Sequence, residues 1–390
     1  MLYRIIKPVI RLALAIFCHR LYINTKQYHS SNGPLLLAVN HPNSFLDAII
    51  IGVLFKRPVH FLARGDAFNN PLIKKVLHGL HCIPVYRLRE GKHLLHLNQD
   101  SFDDCLAIFR AGGIVLIFSE GLCINEWNLR SLKKGTARLA YQAWQDPLIG
   151  HALTILPIGI SYSSYTHSLV TVYLNYGSII HAACISHTHN EGAALVAINQ
   201  AIQEQLLQLS LTGVANDTAT MQCCSTTIAN AAQCSTHTYT YCQQAMAALP
   251  SMVAAGIPSP YWCSYTHKHA VSTVYKAIGL GIMALAALPI LVPIFYLINW
   301  GIKYKLSTKE HYHSILVSLC TIVYTLLLPF ILFLTYGVTN HWGIASIFVL
   351  LSYVGLWAYA KCTVYITQAY NYSKLSNEQK HLIKRYSLNP

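Results

Sequence analysis

The sequence PLLLAVNHPNSFLDAII at residues 34–50 joins two apolar runs through a short polar segment. The first run is short and follows Gly33, as expected for a buried strand, and the run that contains Asp47 continues as a helix. Asn40 and His41 follow the predicted strand directly. In an open α/β sheet, side chains at the carboxyl ends of the strands form the functional site. This segment therefore predicts both a fold and the place of a site.

Similar strand and helix patterns alternate from about residue 32 to residue 176. Two intervening segments, SFDDCLAIFRAGG and KKGTARLAYQAW, have the length and period of helices. The β-rich runs are PLLLAVN, VHFLAR, CIPVYR, IVLIFSE, LTILPIGISY and LVTVYLNYG. Alternation of this kind predicts an α/β domain with a mostly parallel sheet core, which we place at residues 31–189.

The composition excludes an ordinary soluble enzyme over the whole length. Of 390 residues, 54% are hydrophobic and 11% are charged, whereas charged residues make up about 25% of soluble domains. The formal net charge is +14. A basic surplus on an apolar chain indicates anionic lipid or phosphate as the partner rather than nucleic acid. The 12 cysteines are scattered, so we expect reduced thiols, and no metal site is predicted.

His41 and Asp47 have the residue types of a catalytic base and its orienting carboxylate. A carboxylate that binds one imidazole nitrogen leaves the other free to accept a proton from a hydroxyl group. A purely structural pair is the alternative. Basic and acidic residues end other strands or begin a helix, namely Arg87, Glu120, Lys133 and Lys134, and basic side chains near a helix N-terminus form a phosphate site.

Four blocks of the sequence, in their order along the chain, resemble the glycerolipid acyltransferases. The blocks are Asn40-His41 with Asp47, the strand that ends at Arg87, Phe118-Ser119-Glu120-Gly121, and Leu156-Pro157-Ile158-Gly159. The resemblance implies that His41 is the general base and that Asp47 orients it. It also implies substrate contacts, which are Asn40, Arg87, Glu120, Gly121, Arg64, Lys133 and Lys134. It implies no cofactor and no metal.

Two features depart from the common family pattern. Five residues, Pro42 to Leu46, separate the histidine from the aspartate where four are usual, and Leu122 and Cys123 follow Gly121 where the family block FPEGTR continues with Thr and Arg. The wider spacing is similar to that of a bacterial subgroup related to yeast glycerol-3-phosphate acyltransferases. The departures leave the identity of the acceptor open.

The resemblance implies a membrane-bound O-acyltransferase of phospholipid biosynthesis. The expected donor is acyl-CoA or acyl carrier protein, and the expected acceptor is glycerol-3-phosphate or a lysophosphatidate-type glycerol-phosphate lipid. The alternatives are a phospholipid-remodelling acyltransferase and a non-catalytic lipid-binding scaffold. Membrane phospholipid is an expected partner, and nucleic acid is not.

The remaining segments predict how the chain meets a membrane. Residues 1–30 predict an amphipathic helix at the membrane interface, with packing on its own domain as the alternative, and no signal peptide. Residues 190–275 predict a helical extension of low charge. Within residues 276–361, we expect a re-entrant helical hairpin at 277–302, interrupted near Pro289 and Pro293, and transmembrane helices at 314–338 and 342–360. Basic residues 362–390 then form a cytoplasmic tail beside the catalytic domain, at a bacterial inner membrane.

Overall fold

The structure is a computed structural model that describes residues 2–18, 20–86, 96–162, 165, 170–185, 190–210, 267–285, 290–305 and 311–373. The chain forms two compact units. The first consists of Met1–Arg11, Tyr22–Ser161 and Tyr173–Thr212, and the second of Leu12–Leu21, Tyr162–Val172 and Gly213–Pro390. The predicted active-site segment lies in the first unit.

Strands and helices alternate through the α/β part of the chain. The strands are β1 (Arg20–Ile23), β2 (Leu35–Val39), β3 (Val59–Arg64), β4 (Cys82–Val85), β5 (Ile114–Phe118), β6 (Thr154–Tyr162), β7 (Thr171–Tyr176) and β8 (Ile180–His181). The helices are α1 (Leu2–Phe17), α2 (Phe45–Leu54), α3 (Pro71–Gly79), α4 (Leu97–Arg110), α5 (Lys134–Gln145) and α6 (Glu191–Leu209). All six predicted strands are present.

The sheet has a parallel centre, as predicted. Its strand order is β1-β7-β6-β2-β5-β3-β4, and β8 pairs with β6 in the antiparallel direction. Strand β2 runs parallel to both β5 and β6, with Val39 opposite Phe118 and Ile158. Strand β3 runs parallel to β5 and β4. The carboxyl ends of β2, β3, β5 and β6 therefore lie at one edge of the sheet.

Helices cover both faces of this sheet. On one face, Leu36, Ala38 and Val115 belong to a buried cluster with apolar residues of α4, α5 and α6. On the other face, the Gly52 position of α2 lies so near the Phe61 ring that an added Cβ would stand 2.7 Å from it. Burial on both faces explains why the β2 strand residues are continuously apolar rather than alternating.

Three side chains of α1 bind the last carbonyl groups of α2. Tyr3 donates to the Gly52 carbonyl over 2.8 Å, and Arg11 donates to the Val53 carbonyl over 2.7 Å. Lys7 donates to the Phe55 carbonyl. The last carbonyls of a helix have no partner within it and carry partial negative charge, so cationic side chains stabilise them. These contacts agree with the packing alternative for this face of α1, while Ile5 is exposed; an interfacial position of α1 stays a prediction.

The second unit contains four further helices among the described residues. They are α7 (His267–Ala284), α8 (Leu291–Lys305), α9 (Tyr312–Thr339) and α10 (Trp342–Ser373). Residues 312–339 and 342–363 are long and apolar enough to cross a membrane. The segment predicted as a re-entrant hairpin is divided between α7 and α8, and its position in a membrane stays a prediction. Helix α10 continues to Ser373, so the first part of the segment predicted as a tail is helical, and residues 374–390 lie outside the described residues. Of the predicted extension at 190–275, residues 211–266 also lie outside them.

Candidate active site

His41 and Asp47 meet at the carboxyl edge of the sheet. His41 lies just beyond β2, and Asp47 lies in the first turn of α2. The Nδ1 atom of His41 is 2.9 Å from Oδ2 of Asp47. Asp47 is fully buried, and it also accepts a 2.8 Å hydrogen bond from the backbone N–H of Asn43. Oδ2 of Asp47 thus contacts both the imidazole and the backbone of the segment that links the two residues.

The five intervening residues do not prevent this contact. Ser44 adopts φ 52°, a backbone conformation that residues other than glycine rarely take. Its N–H lies 2.8 Å from the Cys123 sulfur, and Asn125 donates to the Pro42 carbonyl over 2.8 Å. The segment after Gly121, which departs from the family pattern, thus supports the turn that brings histidine and aspartate together.

The imidazole of His41 is oriented by two contacts. Its ring stacks on the Phe118 ring, with 3.7 Å between centroids and 12° between planes. Because a carboxylate accepts, the Nδ1 atom facing Asp47 carries the proton, and Nε2 remains as the basic nitrogen. The His41 side chain retains 13% of its exposure. This arrangement can remove a proton from a hydroxyl group that approaches Nε2.

Glu120 fixes the backbone of His41. Its carboxylate accepts a 2.9 Å hydrogen bond from the His41 N–H, and the residue is 6% exposed. Burial raises the pKa of Glu120, while hydrogen bonds from the backbone of His41 and Arg130 and the nearby Arg130 charge act in the opposite direction. Sequence reasoning predicted a substrate contact here, and the structure shows the carboxylate bound to the protein main chain.

Asn40 is bound to the neighbouring strand. Its amide nitrogen donates to the Ile160 carbonyl over 2.9 Å, and its amide oxygen accepts from the Ile160 N–H over 2.7 Å. The side chain is 7% exposed. Both polar ends of the Asn40 side chain, which the sequence predicts to contact substrate, therefore bind β6. These two hydrogen bonds join the ends of β2 and β6 beside His41.

Gly121 and Lys133 begin and end a loop at the same edge. Gly121 has φ 67°, and a Cβ at this position would stand 2.9 Å from Cγ of Lys133. The Lys133 N–H donates to the Ser119 carbonyl over 2.8 Å, and Thr136 donates to the Ser119 hydroxyl over 3.0 Å. Helix α5 begins at Lys134, so its free N–H groups and two exposed lysines lie directly beyond the Glu120 strand.

Arg64 lies farther along this edge. Arg64 ends β3 and pairs with Asp66, and both side chains are largely exposed. Arg87 lies outside the described residues. Asn98 holds the preceding Tyr86 by two 2.8 Å hydrogen bonds to its backbone N–H and carbonyl.

Sequence reasoning missed Cys123, Asn125 and Arg130 as parts of this site. The guanidinium of Arg130 pairs with Glu126, and its charge acts on Glu120. The sequence feature that could have indicated them is Leu122-Cys123 after Gly121, where the family pattern has Thr and Arg. A segment that lacks this arginine needs another cation and other loop contacts. Among the described residues, no group of three histidine, cysteine, aspartate or glutamate side chains is arranged to hold a metal ion.

Comparisons with known proteins agree with this geometry. The family model described as Acyltransferase matches residues 8–161, which include the His41–Asp47 pair and the Glu120 strand. This part of the chain is therefore similar to the acyltransferases that the family model describes. The domain is similar to the 1-acyl-sn-glycerol-3-phosphate acyltransferase of Bacillus subtilis (strain 168), with 27% identity over 187 residues that cover 46% of this chain and 86% of the relative.

A solved structure also resembles the acyltransferase domain. It is the 1-acyl-sn-glycerophosphate (LPA) acyltransferase PlsC of Thermotoga maritima. The match covers 53% of this chain and 79% of that one, at 13% identity and a TM-score of 0.38. The description of the parallel sheet and of its site rests on the strand register and the hydrogen bonds given above.

Proposed function

We propose that this protein transfers a fatty acyl group from a thioester donor to the free hydroxyl of a 1-acyl-glycerol-3-phosphate acceptor. The 2.9 Å contact between His41 and the buried Asp47 carries the proposal, because it leaves Nε2 as a base at the edge where the phosphate-binding features lie. The similarity to the Bacillus subtilis relative supports this choice of acceptor. Acyl-CoA and acyl carrier protein are both donors of the required chemistry.

The catalytic cycle needs one base and no cofactor. Nε2 of His41 takes the proton of the acceptor hydroxyl as the oxygen attacks the thioester carbonyl carbon. Asp47 stabilises the imidazolium that forms. The carbon–sulfur bond breaks, the thiolate leaves, and the imidazolium returns the proton to that sulfur. The products are an ester and a free thiol, and His41 regains its starting state.

The acceptor phosphate has a binding region beside this base. The first turn of α5 offers free N–H groups and the charges of Lys133 and Lys134. Arg130 adds a cation close to Glu120 and compensates for the arginine that the segment after Gly121 lacks. A helix N-terminus with adjacent cations favours a phosphate group. In this proposal, Gly121 allows the loop to turn without obstructing Lys133, and Arg64 and Arg87 supply further positive charge.

The acceptor is a membrane lipid, and the chain has features that suit a membrane. Large apolar side chains of α9 and α10 are exposed, among them Leu326, Phe330, Phe333, Val338 and Leu350. Exposed apolar rings and aliphatic chains along two long helices favour lipid as their surroundings. We propose that α9 and α10 cross a bacterial inner membrane and that the catalytic domain lies on the cytoplasmic side, where acyl donors are made.

Purified full-length protein in detergent tests the function. Labelled acyl-CoA and acyl carrier protein are each offered with lysophosphatidate, glycerol-3-phosphate and a choline lysolipid, and the products are identified by mass. We expect the largest kcat/KM with lysophosphatidate and a rate at least about 100-fold lower from a His41→Ala control. A preference for glycerol-3-phosphate or the choline lysolipid would overturn the acceptor assignment. No transfer to any acceptor, with lipid binding retained, would indicate a scaffold.

A further inference from the structure

Helix α3 exposes an apolar surface to its surroundings. Leu72 is 76% exposed, Ile73 50% and Val76 49%. The helix is nine residues long, begins with Asn70 as its cap, and has no buried residue. Exposed apolar side chains normally occur singly, whereas these three form one patch. Packing within the domain therefore does not account for the composition of α3.

The charges of α3 flank this patch. Each helical residue turns by about 100°, so Leu72, Ile73 and Val76 share one side of the helix. Lys75 then lies beside Leu72 at one border of that side, while Lys74 and His78 lie on the opposite side. An apolar face on a helix whose other side carries lysines is the pattern of a helix in a membrane interface, where the long lysine chains extend to the lipid phosphates.

The first turn of α3 lies at the active-site edge of the sheet. In the parallel register, Phe61 of β3 stands opposite Leu116, and Leu116 stands opposite Leu37 of β2. Continued along the strands, Arg64 reaches the level of the residues that follow β2. Only β5 separates β3 from β2, so the two strand ends lie about 10 Å apart. Gly65–Phe68 and Asn70 then lead directly into α3.

We propose that α3 docks on the anionic surface of the membrane, with Leu72, Ile73 and Val76 inserted among the lipids. Charge favours lipid over a second copy of this chain, because copies with a net charge of +14 repel each other and lysine attracts anionic lipid. A short helix binds lipid weakly alone, but one tethered to a membrane-anchored chain binds at high local concentration. The docked helix holds the active-site edge close to lipid acceptors. The location of α3 goes beyond the proposed function and does not depend on acyl transfer.

Fluorescence quenching by lipid tests this location. Full-length protein receives a genetically encoded fluorescent amino acid at position 73 or, as a matched control on the opposite side of the same helix, at position 78. Both proteins are placed in vesicles of equal parts phosphatidylcholine and phosphatidylglycerol that contain a nitroxide-labelled acyl chain. We expect at least about twofold stronger quenching at position 73 than at position 78, since an interfacial helix buries one face.

Replacing Lys74 and Lys75 together by glutamate tests whether the lysine charges contribute to docking. Each lysine near an anionic surface strengthens attachment by about fivefold, so quenching at position 73 should fall in the double variant. Equal quenching at positions 73 and 78, or quenching at 73 that is unchanged by the two glutamates, would overturn the proposal. Shielding of position 73 that increases with protein density, without lipid quenching, would indicate a contact between copies instead. None of these measurements requires enzymatic turnover.

Discussion

The carboxylate of Glu120 holds the main chain of His41, with 2.9 Å between Oε1 and the His41 nitrogen. Strands β2 and β5 end beside each other, so the residue after one strand can bind the residue after the other. Glu120 thus fixes the position of the His41 main chain. A family motif that looks like a substrate contact in the sequence has a second, internal task here.

Replacing Glu120 by glutamine should change how stability depends on pH. Burial raises the pKa of Glu120, so the native state holds its proton more tightly than the unfolded chain does. The wild type therefore loses stability as pH rises through the raised pKa, and Glu120→Gln does not. We expect the melting temperature of the variant, minus that of the wild type, to increase between about pH 4 and pH 7. A difference that is constant across this range would contradict the prediction.

Removal of the base or its orienting group should abolish most transfer. His41→Ala should lower kcat by about 10²–10⁴, the range typical for loss of a general base. Asp47→Asn should be nearly as damaging, because an amide nitrogen facing Nδ1 favours the wrong imidazole tautomer. Activity is measured with labelled donor, and circular dichroism checks the fold. Turnover near the wild-type rate in either folded variant would refute the assignment.

Asn40→Leu should reduce both stability and turnover. It leaves the Ile160 N–H and carbonyl without their side-chain partners, which costs about 1–3 kcal/mol for each buried group. Asn24→Leu is a matched control, because Asn24 binds both backbone groups of Tyr176 in the same way, away from His41. Chemical denaturation should show the larger loss for the buried Asn40, since Asn24 is exposed and water can replace its contacts, and kcat of the folded protein should fall for Asn40→Leu alone. Equal kcat values for the Asn40→Leu and Asn24→Leu variants would show that Asn40 has a structural role only.

Charge removal near α5 should weaken acceptor binding selectively. Lys133→Ala and Arg130→Ala should each raise KM for lysophosphatidate by about 10-fold, since a charge-assisted hydrogen bond is lost. KM for the acyl donor should change less, because the proposal assigns these two cations to the phosphate of the acceptor. Lys26→Ala, a change of one lysine elsewhere on the same unit, controls for net charge. Equal increases in both KM values would point to a structural role.

The sequence predicts the parallel core well, because its strands are apolar runs bounded by polar turns. Strand β1 escapes prediction because four residues, Arg20–Ile23, carry little pattern, and a distant contact between Asn24 and Tyr176 secures the chain just beyond them. The contact between His41 and Asp47 is predictable from their places after a strand and in the next helix together with the resemblance of the four ordered blocks, since residue type and spacing alone leave a structural pair as likely. The supports from Cys123 and Asn125 are not, since both contact main-chain atoms of the 42–44 turn, and main-chain partners leave no trace in residue type.

Helix α2 carries Asp47 in its first turn, while Tyr3, Lys7 and Arg11 of α1 donate to carbonyl groups at its other end. A ten-residue helix is a stiff rod of about 15 Å, so movement at one end reaches the other. Helix α1 therefore contributes to the position of the helix that carries Asp47. If an unrelated helix replaced α1, the end of α2 would lose these contacts, and the alignment of Asp47 with His41 would be weakened.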